Sequence, residues 1–81
     1  MELNQAKARI AEHLANQSVK LPLDYAVPFR DMWVFFFKRS PRQRVSPLAV
    51  QADGSVKMFN PIAFDYTDQE FAKAHRKLVK L

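Results

Sequence analysis

The chain has 81 residues, 48% hydrophobic and 12% aromatic, which is enough for one hydrophobic core, too short for two, and too apolar for a disordered tail. Thirteen basic against eight acidic side chains give a formal net charge of +5, and the absence of cysteine removes disulfides, thiolate catalysis and cysteine-based metal sites together. A single domain in a reducing compartment, the cytoplasm, is the expectation, with monomer and homodimer both open because so small a core gains from self-association.

The first segment, Met1 to Ala15, alternates charges with short apolar residues and lacks the continuous apolar stretch of a secretory signal. Leu3, Ala6, Ile10 and Leu14 recur at the three-and-four spacing of an apolar helix stripe, with Lys7, Arg9 and Glu12 turned to water. The spacing predicts a helix from Glu2 to Gln17.

From Leu21 to Phe29 the pattern changes. Leu21, Leu23, Tyr25 and Val27 alternate, while Pro22 and Pro28 each lack a backbone donor, so the segment reads as an edge strand. Met32-Trp33-Val34-Phe35-Phe36-Phe37 follows, dense in β-branched and aromatic residues, and reads as the central strand. It is the longest apolar run, far below the roughly 18 residues of a membrane-spanning helix, so no membrane contact is expected. Trp33, Phe35 and Phe37 fall on one face and Met32, Val34 and Phe36 on the other, which requires cover on both sides or leaves an exposed binding face.

Lys38 to Pro47 holds four basic residues, two prolines and two serines without periodicity, the composition of a solvated loop. Leu48 to Ala52 and Ser55 to Phe59 then flank Asp53-Gly54, a hairpin signal, because both central positions of a type I′ turn need positive φ. A strict two-residue loop pairs Val50 with Lys57, whereas a bulge at Gly54 shifts the faces. The stretch from Asn60 to Tyr66 reads as irregular. Thr67 and Glu70 form the T-x-x-E pattern of a capping box that opens a second helix, with Phe71, Ala74, Leu78 and Leu81 as its buried stripe. The predicted fold is α+β: an N-terminal helix, a three- to four-stranded antiparallel sheet and a C-terminal helix.

No catalytic constellation emerges from the inventory. His13 and His75 lie on different helices without a partner at ligand spacing, the serines Ser18, Ser40, Ser46 and Ser55 fall in turns or termini, and a single glycine cannot build a phosphate-cradling loop. The expectation is a non-enzymatic protein without metal or cofactor. Charge is the stronger signal: Met1 to Phe37 is neutral, and the whole +5 lies between Lys38 and Leu81, which suits an acidic partner surface on a protein or a nucleic acid. Lys38, Arg39, Arg42 and Arg44 leave directly from the aromatic strand, and with Trp33 they form the candidate partner-binding set; the bland alternative is a connector whose charges keep the protein soluble. Lys73, Arg76, Lys77 and Lys80 form a secondary positive patch, or a merely solvated helix face.

Three segments, AKARIAEHL, MWVFFFK and SPLAVQADGSV, together with their order between Gln5 and Phe59, resemble bacterial immunity proteins of the immunity protein 35 type, which includes YrhB-like proteins. The resemblance implies a non-enzymatic protein that binds and neutralises a cognate toxin. The chain departs from that pattern in its basic connector Arg39 to Arg44 and its lysine-rich final segment, so no binding residue transfers. The alternatives are a small basic nucleic-acid-binding module and an accessory protein of a phage or larger assembly.

Overall fold

A computed structural model describes residues 1–18, 22–38 and 46–81. Helix α1 (Leu3–Asn16) buries Ala6, Ile10 and Leu14, the stripe its spacing dictates. The Gln5 side-chain carbonyl accepts the Glu2 backbone N–H at 3.2 Å, satisfying one donor that the helix start leaves free.

Among the described residues five strands follow, β1 (Leu23–Phe29), β2 (Met32–Phe37), β3 (Leu48–Val50), β4 (Val56–Met58) and β5 (Val79–Lys80), in one sheet of order β4-β3-β2-β1-β5. Every pairing is antiparallel. The sheet has one strand more than the sequence pattern suggests, and β2 is central, as its composition requires. Because directly opposed residues share a face, Phe35, Ala26 and Val50 bury against α1, while Val34, Val27, Ala49, Phe29 and Met32 bury on the opposite face with Phe59. Both faces of β2 are thus covered.

The second face is closed by α2 (Pro61–Phe64) and α3 (Asp68–His75). Asn60 to Tyr66, which reads as irregular, contains a single helical turn: the Asn60 side chain accepts the Ala63 N–H at 2.7 Å, Pro61 supplies a preset φ, and Asp65 in the left-handed region ends it. Phe59 stacks on Tyr66 at 4.7 Å between ring centroids, and Phe71 reaches Phe29, Phe36 and Phe59 at 5.4–6.0 Å. Burial, with the Asp68 carboxylate second, raises the Tyr66 hydroxyl above its ordinary pKa.

The capping pattern is half realised. The Thr67 hydroxyl accepts the Glu70 N–H at 3.1 Å, but the Glu70 carboxylate turns away to accept from Arg30 at 2.9 Å. Arg30 occupies the two-residue turn between β1 and β2 with φ of 55°, unusual outside glycine, and its guanidinium also donates to the carbonyls of Phe64 at 2.9 Å and Asp65 at 3.0 Å. The pair is solvent-exposed and contributes less than about 1 kcal/mol, against about 1.5–3 kcal/mol for fully burying a side chain such as Phe35 or Phe29. Arg30 therefore positions; the aromatic residues stabilise.

The final element corrects the sequence reading. The stripe Phe71, Ala74, Leu78 and Leu81 is not one helix, because α3 ends at His75, the Lys77 and Leu78 N–H groups close a turn on Ala74 and His75, and Val79–Lys80 adds to β1 as β5. Leu78 still packs on the second core, but Leu81 is 38% exposed. The edge-strand reading of Leu21 to Phe29 is corrected with it, since β1 is flanked by β5, although only Tyr25 and Ala26 are paired there. Leu21 itself lies outside the described residues.

The β3–β4 hairpin takes the bulged alternative. Gly54 N–H donates to the Gln51 carbonyl at 2.8 Å and Gln51 N–H to the Ser55 carbonyl at 2.9 Å, while only Gly54 has positive φ, 88°, so Val50 pairs with Val56 rather than Lys57. This is a three-residue loop with a glycine bulge, not a type I′ turn, and it returns Val56 to the α1 face. A side chain at Gly54 would be strained by that φ and would meet Arg9 Nε at 3.3 Å. Gly54→Ala should cost about 1–2 kcal/mol in urea unfolding. In the same loop Asp53 accepts from the Ser55 hydroxyl at 2.7 Å and the Ser55 N–H at 3.0 Å, and these bonds, the hydroxyl first, lower its pKa. The stabilisation is present above the unfolded value of about 3.9 and lost as pH falls through the lower folded value, so the stability gap between wild type and Asp53→Asn should close on acidification below about pH 4.

Candidate partner-binding surface

Helix α3 turns Phe71, Ala74 and the partly buried His75 to the sheet, with His75 Nε2 at 3.4 Å from the Tyr25 hydroxyl, while Lys73 on the helix and Arg76 and Lys77 in the turn that follows it are exposed. The turn after His75 carries the chain back along β1, and Lys80, opposite Tyr25 in the ladder, shares the α3 face of the sheet. Lys73, Arg76, Lys77 and Lys80 therefore belong to one side of the molecule, as helix periodicity alone would suggest, but the last of them stands on a strand.

Lys38 lies just beyond β2, where its N–H donates to the Pro22 carbonyl at 3.0 Å. That places it two strand spacings from β5, roughly 10 Å across the sheet and toward the same end as Lys80. Arg39, Arg42 and Arg44 lie outside the described residues. Among the described residues the ion pair Arg30–Glu70 stands alone, and Lys38, Lys73, Arg76, Lys77 and Lys80 have no carboxylate within salt-bridge distance. Their charge is left to the solvent or to a partner.

Trp33 sits elsewhere. Its indole faces α1, is partly buried at the margin of the first core, and donates through Nε1 to the Met1 carbonyl at 3.0 Å. It is not brought beside the α3–β5 cations. All ten aromatic side chains of the protein are buried or partly buried, so no aromatic ring stands free as a stacking surface.

One cleft escapes a reading of the sequence. Arg9, Glu12, His13 and Asn16 of α1 face Gly54 and Val56 across a groove of about 210 Å³. The three-and-four spacing of the four polar residues is visible in the sequence, but only the hairpin's position against α1 makes them a wall. The groove is open and of mixed charge. Among the described residues no group of three or more His, Asp or Glu side chains could hold a metal ion, and no helix is long and apolar enough to cross a membrane.

No protein-family model, curated protein or solved structure matches the chain. Trp33→Phe, which keeps an aromatic ring but deletes the bond to Met1 and part of the packing on the first core, should lower stability in urea unfolding by more than the hydrogen bond alone, about 0.5–1.5 kcal/mol.

Proposed function

We propose that this chain is a non-enzymatic cytoplasmic binding protein that neutralises an acidic protein partner, a toxin in the manner of immunity proteins. The observation that supports the reading is the set of exposed cations Lys38, Lys73, Arg76, Lys77 and Lys80, none of which has a carboxylate within salt-bridge distance among the described residues. The sequence sets Arg39, Arg42 and Arg44 directly after Lys38, and their charge belongs to the same proposal.

Unpaired cations are not by themselves selective, since they attract nucleic acid as well as acidic protein. The burial of the aromatic residues favours protein, because sequence-tolerant binding of single strands uses exposed rings on which bases stack. The absence of cysteine suits a reducing compartment.

The test is capture from lysate on the immobilised wild type and on a Lys73→Glu, Arg76→Glu, Lys77→Glu, Lys80→Glu variant, at low salt and at about 0.15 M. The expected result is one protein held by the wild type at the higher salt and lost by the variant, whose expression alone arrests growth and whose arrest co-expression of this chain relieves. Mixed nucleic acid released as salt rises, or equal retention by the variant, would overturn the reading.

A further inference from the structure

The open side of β5 has a polarity that a charged helix face alone does not explain. Leu81 N–H donates to the Asp24 carbonyl at 3.0 Å, beside the opposed pair Tyr25–Lys80. In an antiparallel ladder, successive residues turn their backbone groups to alternate sides, so the N–H and C=O of Lys80 face away from β1, to the outer side of β5, where among the described residues no further strand is paired. Next to that edge β1 runs on through Val27 and Pro28, paired with β2 on one side but, among the described residues, with no strand on its β5 side, and Pro28, two residues from Ala26, falls where an outward N–H would otherwise stand.

The two faces beside this edge differ in kind. On the α3 face stand Lys80 and, from α3 and the turn that ends it, the exposed cations Lys73, Arg76 and Lys77. On the opposite face stand Val79 and Leu81, 37% and 38% exposed, because α1 packs against β3 and β4 at the other side of the sheet. An added strand would meet positive charge on one of its faces and apolar surface on the other, and the period of a strand sorts its side chains in that way.

We infer that β5 accepts an extended segment of the protein partner whose acidic and β-branched residues alternate, added to the sheet as a sixth strand. This rests on the binding function proposed above and specifies the partner's conformation. Main-chain bonds to Lys80 would supply the docking, and pairing of acidic residues with Lys80 and the α3 cations would choose the sequence. A second copy of this chain is disfavoured as occupant, since edge-to-edge pairing of two β5 strands sets lysine against lysine. The β4 edge offers no equivalent, carrying only Lys57 beside the exposed Met58.

The test uses the full chain, labelled for amide NMR, and a short end-blocked peptide alternating Glu and Val, with a peptide of the same composition segregated into Glu and Val blocks as control. The alternating peptide should slow hydrogen exchange at the Lys80 amide, shift Val79 to Leu81, and bind at least about tenfold more tightly than the block peptide. Lys80→Pro removes the outward N–H but no inner ladder bond and should abolish binding, whereas Lys80→Gln, which keeps the N–H, should only weaken it. N-methylating the peptide at its Glu or at its Val positions leaves its charge intact, and one of the two should fail to bind. Equal binding of block and alternating peptides, or no loss from either methylated peptide, would overturn strand addition. If binding still falls on reversing Lys73, Arg76 and Lys77, the cationic surface survives without it; binding of a single-stranded oligonucleotide but neither peptide would sink both.

Discussion

The structure depends on a strand that is apolar on both faces. Met32 to Phe37 cannot face water on either side, so the sheet must carry a layer above and below its centre. Helix α1 supplies one with Ala6, Ile10 and Leu14; α2, α3 and the ring cluster of Phe59, Tyr66 and Phe71 supply the other. Each large apolar side chain that is fully buried, such as Ile10, Val34 or Phe35, stabilises by about 1.5–3 kcal/mol, more than an exposed ion pair, and these burials decide which side of each remaining strand turns inward.

Arg30 has a complementary role. Its left-handed backbone lets a two-residue turn close β1 on β2, and its guanidinium ties that turn to the end of α2 and the first turn of α3. The Glu70 carboxylate that a capping box would use locally is drawn to this long-range contact. The exchange costs one local hydrogen bond and fixes where the second helical layer sits against the sheet, so a weak surface pair has positional consequences beyond its energy.

Function is argued from surface rather than from a pocket. With every aromatic side chain committed to the two cores or their margins, what remains for recognition is charge, the open strand edge, and isolated apolar residues such as Val79 and Leu81. These meet at β5. The groove between α1 and the β3–β4 hairpin, by contrast, mixes Arg9 with Glu12 and favours no single ligand charge.

The sequence by itself determined α1, the central strand, the hairpin at Asp53-Gly54 and the Thr67 cap, because each rests on a local cause: helix periodicity, a dense apolar run, a glycine able to take positive φ, a hydroxyl at a helix start. It also located the cations Lys73, Arg76, Lys77 and Lys80. Only the tertiary structure decided that Val79 and Lys80 form a strand, since the free edge of β1, distant in sequence, outcompetes one more helical turn. It likewise decided that Trp33 packs at the margin of the α1 core with its indole N–H on the Met1 carbonyl, that Arg9 and His13 face the hairpin, and that Val50 pairs with Val56. Each of these depends on which residues far apart in the chain come into contact, and such contacts leave no periodic trace in the sequence.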